Sequence, residues 1–382
     1  MRGIERLWFS PDLTARALRA ALTPLELLYA GVVTLRGKLY DAGVLTTRAA
    51  PIPAVSVGNL TVGGTGKTPI SAWLARQLVK RGATPAVVLR GYGNDETLVH
   101  RLLNLDIVVV PSTDRAAGIE VAAERGCDVA VLDDAFQHRR AARAADVVLV
   151  SAERWSERRH LLPAGPWREP LSAIERASLV IVTRKSASAD AALDVARRVE
   201  RAEGGVRTAI VHLAPRELRS LPRATYDAPT GTMPAGRSVE GSEAASRHGS
   251  ERRAGAPESH PLGTIRGRPI LAISAIGDPR AFETQLAALG ARVESRSFPD
   301  HHRFTAGEVA RLSSTATELV REAGDGLPVA LCTLKDAVKL ASLWPREAPP
   351  LWYVSQQPEV ESGRAELDAL IAHTLAARHR QP

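Results

Sequence analysis

The stretch AVSVGNLTVGGTGKTPISAWLARQLVKRG, residues 54–82, leaves few choices for the fold around it. A short apolar run of buried-strand type enters a glycine-rich loop, and a segment of helical character follows and ends at Gly82. Gly63, Gly64 and Gly66 permit close backbone approach, so loop amides can point at phosphate oxygens while the helix N-terminus adds a favourable field. The loop closes as a Walker A loop does. Lys67 is placed to reach the β- and γ-phosphates and the Thr68 hydroxyl to ligate Mg²⁺. The strict pattern has glycine where this chain has Thr61, but the placement between strand and helix carries the assignment. Thr61, Val62, Gly63, Gly64, Thr65, Gly66, Lys67 and Thr68 are therefore the candidate nucleotide-binding residues.

Further apolar runs read as strands: PAVVLRG, DIVVVP, VAVLDD, DVVLVS and ASLVIVTR, several of them separated by helical stretches such as RAAGIEVAAERG. Strands alternating with helices predict a parallel sheet covered on both faces. Residues 222–264 are rich in Gly, Ser, Ala, Pro and Arg, and read as a flexible linker or insertion. A second alternation follows, from PILAISAI to LWYVSQQ, with PVALCTLKD read as a strand. The fold class is α/β: a P-loop-like parallel sheet with helices on both faces, a second smaller α/β lobe, and an N-terminal amphipathic helix. The expected boundaries are 1–48 for the membrane-associating helical segment, 49–221 for the nucleotide-binding domain, 222–264 for the linker and 265–382 for the smaller domain.

Within 12–43, Leu13, Ala17, Leu18, Leu22, Leu25, Leu28, Val32 and Leu35 recur at three- and four-residue steps, with Arg2, Arg6, Arg16, Arg19, Arg36 and Lys38 around them. Such a basic amphipathic segment suits a membrane interface with anionic headgroups. The longest charge-free run there, residues 27–35, falls short of the ~20 residues needed to span a bilayer. The N-terminus also lacks the clean apolar core of a secretory signal. Cys127 and Cys332 are the only cysteines, too far apart in sequence for a metal motif or a disulfide framework, which fits a reducing compartment. The net charge of +8 favours anionic partners. No aromatic-studded basic strand or recognition helix accompanies it, so nucleic acid is not expected, and no obligate protein partner is evident.

Other segments carry candidate chemistry. VAVLDDAFQHRR ends a strand with Asp133 and Asp134, candidates for a Mg²⁺-holding acid, followed by Gln137, His138 and Arg139 as candidate substrate or phosphate contacts. Asn59, Arg90 and Arg168 (in LLPAGPWREP) are further contact candidates. RGYGNDETLVH places Asp95 after a strand end, where it can accept a hydroxyl proton or cap a helix. FPDHHRFT pairs His301 with His302 beside Asp300, and TLKDAVKL offers Lys335 and Asp336 as base-recognition residues or a helix cap.

In this order the segments resemble the tetraacyldisaccharide 4′-kinase family. The resemblance runs through VGNLTVGGTGKTP, RGYG followed by DE, LDDAFQHRR, LLPAGPWREP, IGDP, FPDHHRFT and TLKDAVKL, and covers most of residues 50–340. Thr61 is similar to that family's own form of the loop. The resemblance implies ATP- and Mg²⁺-dependent phosphorylation of the 4′-hydroxyl of an acylated glucosamine disaccharide 1-phosphate, giving lipid IVA. It implies a peripheral enzyme in contact with inner-membrane lipids on the cytoplasmic face, and Asp95 as catalytic acid–base group with His301 or His302 as its partner. In the family a longer stretch separates RGYG from the acidic pair. The alternatives are a membrane-associated P-loop ATPase switch and a P-loop ligase, neither of which needs a sugar-hydroxyl base.

Overall fold

The computed structural model describes residues 3–91, 95–202, 205–221, 258–324 and 326–379. Two units interleave along the chain. Unit 1 comprises Met1–Ala214, Ile276–Gln285 and Gln356–Pro382, and unit 2 comprises Pro215–Ala275 and Leu286–Ser355. Thus Ile276–Gln285 and the C-terminal segment, both within the expected smaller domain 265–382, fall in unit 1. Of the expected linker, 222–257 lies outside the described residues, as do Arg2 and residues 92–94.

Unit 1 opens with helices α1 (Gly3–Phe9) and α2 (Leu13–Asp41). It continues with β1 (Ala54–Asn59), α3 (Lys67–Val79), β2 (Pro85–Leu89), α4 (Asp95–Leu103), β3 (Val108–Pro111), α5 (Arg115–Glu124), β4 (Val129–Asp133), β5 (Ala145–Ser151), β6 (Leu179–Arg184), α6 (Ala189–Ala202) and β7 (Thr208–Ser220). The strand order is β7-β6-β5-β1-β4-β2-β3, and the pairs are parallel. Successive strand side chains point to opposite faces, and here both faces are apolar. Val55, Val57, Val131, Val147 and Leu149 pack with Ile70, Leu74 and Leu78 of α3 and with Leu367, Leu370 and Ile371 of the C-terminal helix. On the other face Ala54, Ala130 and Leu132 meet Ile119 and Ala122 of α5, while Val148, Val180 and Val182 meet Val195 and Val199 of α6. Each such valine, leucine or isoleucine contributes about 1.5–3 kcal/mol when fully buried. Because β1 lies between β4 and β5, the chain leaves its end at a switch point of the sheet, where ligands of open α/β sheets gather.

In unit 2, β8 (Ser259–Pro261) pairs antiparallel with the end of β7. Then come β9 (Pro269–Ser274), α7 (Pro279–Ala288, most of it in unit 1), β10 (Arg292–Ser297), α8 (Ala306–Ala323), β11 (Ala330–Cys332), α9 (Leu334–Ala341) and β12 (Leu351–Ser362), which runs back into unit 1 ahead of α10 (Arg364–Ala376). The order β10-β9-β11-β12 is parallel. α8 starts at a capping box, Thr305 with Glu308, and stops at Gly324 with φ 75°. The expected strand PVALCTLKD ends at Cys332, and Thr333 instead caps α9.

The nine-residue charge-free run at 27–35 understated α2. The helix has 29 residues, about 43 Å at 1.5 Å per residue, and is long and apolar enough to cross a membrane by length and composition. Its apolar face is exposed: Leu13, Leu18, Leu25, Leu27, Leu28, Val32 and Leu35. Its other side is tied to unit 1. Glu26 accepts from the Leu161 amide at 2.7 Å, Tyr29 donates to the Arg168 carbonyl at 2.9 Å, and Arg36 donates to the Gln137 carbonyl at 3.0 Å. Arg19, expected among the outward basic residues, is buried and donates to the Leu7 and Ser10 carbonyls, fastening α1 to α2.

Candidate active site

The loop after β1 is held open by its own backbone. Gly63 and Gly66 adopt φ 119° and 85°, conformations only glycine takes without strain. Thr61 needs no such freedom. Its backbone forms an antiparallel bridge with Trp167, and the Val62 amide donates to the Pro166 carbonyl at 2.8 Å. Extended chain at this point explains why threonine stands where the strict pattern has glycine. Asn59, expected to touch substrate, is instead buried inside the loop. Its Nδ2 donates to the Thr61 carbonyl at 2.7 Å and to Thr65 Oγ1 at 2.9 Å, and its Oδ1 accepts from Lys67 Nζ at 3.3 Å.

β4 brings the two carboxylates to this loop in different states. Asp133 is buried; its Oδ1 accepts from Ser71 Oγ at 3.0 Å, while Oδ2 meets His100 Nε2 at 2.8 Å and Thr68 Oγ1 at 3.4 Å. Burial pushes its pKa up, but the His100 hydrogen bond and neighbouring positive charge outweigh that and hold it below the ordinary carboxylate value. Asp134 takes φ 48°, a left-handed conformation that is uncommon for any residue but glycine. It faces Lys67 Nζ at 3.7 Å and Arg168 Nη1 at 3.1 Å. Here too burial opposes ionisation and the Lys67 and Arg168 charges prevail, lowering the pKa. Lys67, Thr68, Asp133, Asp134 and Arg168 therefore lie together.

Other expected contacts are used differently. Gln137 donates to the Asn59 carbonyl at 2.9 Å. Arg139 holds the end of α2, donating to the Gly37 carbonyl at 3.0 Å and to Asp41 at 2.7 Å, with its guanidinium over Tyr40. Both fasten the scaffold. His138 lines a cleft of about 340 Å³ with Arg36, Arg115 and Arg140. Burial, and then the Arg115 charge, push its pKa down. Arg90 follows β2, and Asp95 is the first residue of α4. Sequence reasoning missed His100, Ser71 and Lys185, whose Nζ donates to the Gly64 carbonyl at 2.8 Å. Lys185 follows an apolar strand directly, which was the one signal available; His100 and Ser71 had none.

Unit 2 separates the two histidines. His302 stacks on Phe298, touches Phe304 and reaches Glu308 at 3.1 Å, so it belongs to the start of α8. His301 is exposed, with φ 58°, and its Nε2 lies 3.2 Å from Lys335 Nζ, which also donates to Asp300 at 3.4 Å. Asp336 is buried and accepts from Thr333 Oγ1 at 2.7 Å, so it supports the residue that caps α9.

A parallel sheet with a glycine loop at its switch point, a lysine and a hydroxyl at the helix start and acids on the adjacent strand define a P-loop nucleotide-binding protein. The family described as tetraacyldisaccharide-1-P 4′-kinase matches residues 18–376. A tetraacyldisaccharide 4′-kinase of Anaeromyxobacter sp. (strain K) is 35% identical over 99% of this chain and 97% of its own. One from Halorhodospira halophila is 33% identical over 99% and 98%. The crystal structure of LpxK from Aquifex aeolicus in complex with ATP aligns with a TM-score of 0.62 at 26% identity, covering 94% of this chain and 99% of that one. The chain belongs to the tetraacyldisaccharide-1-P 4′-kinase family and is a kinase.

Proposed function

We propose that this chain transfers the γ-phosphoryl group of ATP to the 4′-hydroxyl of an acylated glucosamine disaccharide 1-phosphate, giving lipid IVA, at the site around Lys67, Asp133 and Asp134. The carrying observation is the convergence of Lys67, Thr68, Asp133, Asp134 and Arg168 at the glycine loop. Phosphoryl transfer is mostly positioning and electrostatic stabilisation. The loop amides and Lys67 offset charge on the transferred group, and Arg168 orients Asp134. Asp95 takes the proton of the attacking hydroxyl as the new P–O bond forms and the β–γ bridge oxygen leaves with ADP.

Thr68 Oγ1 and the Asp133 carboxylate are hard oxygen donors 3.4 Å apart, a set that suits Mg²⁺, which completes its shell with phosphate oxygens and water. When bound, Mg²⁺ would neutralise β- and γ-phosphate charge. Among the described residues no cluster of three or more His, Cys, Asp or Glu forms a metal cage, in keeping with a cation held mainly through the nucleotide.

α2 is the reading's membrane element. One side is hydrogen-bonded to unit 1 at Glu26, Tyr29 and Arg36 while the opposite side bares leucines. That division favours a helix lying in the interface over one that spans it and supports peripheral attachment; the acylated substrate is our reason for proposing the cytoplasmic face of the inner membrane.

The test is transfer of labelled γ-phosphate to the disaccharide 1-phosphate in detergent micelles. Wild type should yield phosphorylated lipid, Lys67→Ala should yield almost none, and Asp95→Ala should lose about 10²–10⁴-fold in rate. Brisk lipid-independent ATP hydrolysis with no lipid product would sink the reading. Full transfer by Asp95→Ala would sink the base assignment alone.

A further inference from the structure

His100 belongs to no motif, yet it sits between two pieces of the machinery. It lies on α4, the helix that begins at Asp95, is wholly buried, and meets Asp133 Oδ2 at 2.8 Å. A carboxylate only accepts, so the ring donates through Nε2–H. Ser71 takes the other carboxylate oxygen at 3.0 Å, and Thr68 approaches Oδ2 at 3.4 Å. Asp133 is thus gripped from α3 and from α4.

The buried side of α4 and its end carries polar residues beside Val99, at positions where a packing helix usually has aliphatic ones. Thr97, His100 and Asn104 recur at helical spacing and are buried. Asn104 donates to the Ala72 carbonyl of α3 at 3.2 Å, while Thr97 Oγ1 and His100 Nδ1 are buried without hydrogen-bond partners. Burying polar atoms in this way costs stability. A leucine at position 100 would serve packing better, so the imidazole is explained by what it holds.

We propose that His100 is a positioning residue for phosphoryl transfer. It locks the Asp133 carboxylate in the rotamer that faces Thr68, and it ties the helix bearing Asp95 to α3, which starts at Lys67. The proposal rests on the reading of Asp133 as a holder of the cation.

The experiment measures affinity for a non-hydrolysable ATP analogue with and without Mn²⁺, on full-length wild type, His100→Leu, His100→Gln, His100→Asn and Asp133→Asn. A purely structural histidine would change both affinities together. Here His100→Leu should bind the metal-free analogue like wild type but lose about 10- to 100-fold of the gain that Mn²⁺ confers. His100→Gln can still present an Nε donor and should retain most of that gain. His100→Asn, polar but too short to reach Oδ2, should behave as His100→Leu does, which keeps the test usable if the leucine variant does not fold. Kinase assays should show the half-saturating Mg²⁺ concentration rising in step, with KM for the disaccharide unchanged. An equal Mn²⁺ gain in the Gln, Asn and Leu variants, with Asp133→Asn losing its own, would overturn the proposal. Retention of the gain by Asp133→Asn would overturn the metal assignment beneath it.

Discussion

Single residues at the loop respond to backbone geometry before they respond to chemistry. Gly66 holds φ 85°, and a side chain there would run into Leu213. Left-handed backbone alone costs an alanine about 1–2 kcal/mol, so Gly66→Ala should weaken nucleotide binding by at least about tenfold in calorimetry, whereas Thr61→Gly, at an extended position, should leave it near wild type. ATP binding by Gly66→Ala at wild-type strength would show that the loop tolerates another path. The histidines diverge in the same way. His302→Ala removes an aromatic stack worth about 0.5–1.5 kcal/mol and should lower Tm by a few degrees. His301→Ala should leave Tm unchanged and lower turnover; the reverse pattern would exchange their roles. Glu308 adds a pH dependence. The Thr305 backbone amide and then His302 hold its pKa at about 2, below the ordinary 4.5. A depressed carboxylate stabilises the fold above its unfolded value, and that contribution is lost as pH falls from 4.5 toward about 2. Amide protection factors at the start of α8, corrected for the intrinsic exchange rate, should therefore fall over this window in wild type and be already low, with little pH dependence, in Glu308→Gln. Identical acid profiles would remove Glu308 from the account.

At the scale of elements, the periodicity of α2 identifies the helix, and its hydrogen bonds decide which side faces out. The three- and four-residue recurrence of leucines identified an amphipathic helix. A soluble domain would turn that stripe inward, yet here the hydrogen bonds of Glu26, Tyr29, Arg36 and Gly37 occupy the inner side and the leucines face out. Leu25→Ser, Leu28→Ser and Val32→Ser together should weaken sedimentation with anionic vesicles, while transfer to a detergent-dispersed acceptor is retained. Undiminished vesicle binding would place the membrane contact elsewhere. No expected element covers α6 or α10, and α4 enters only as the helix that Asp95 could cap. α4 is only nine residues long and buries Thr97 and His100 beside Val99, so its apolar signal is short and mixed with polar residues. β7 was missed because Pro215 and the charged residues of Thr208–Ser220 interrupt its apolar run.

For the whole molecule, the chain's order and its packing diverge. Residues 364–376 follow the smaller α/β unit in sequence, yet Leu367, Leu370 and Ile371 complete the core beneath α3 in unit 1. Truncation after residue 362 should therefore unfold the nucleotide-binding unit and abolish ATP binding; a truncated chain that binds ATP normally would contradict this. What the sequence determined by itself was local: strands and helices whose apolar periodicity is unbroken, a loop whose glycines and lysine act within a few residues of one another, and acids that end a strand. Those features depend on neighbours in the chain, so they can be read along it. Tertiary structure alone decided which carboxylate is buried and which meets Lys67, which histidine is exposed and which is stacked on Phe298, that Asn59, Gln137 and Arg139 fasten the scaffold, and that His100 grips Asp133 across 33 residues. Each of these is set by burial and by partners distant in the chain, and spacing along the sequence carries no record of either.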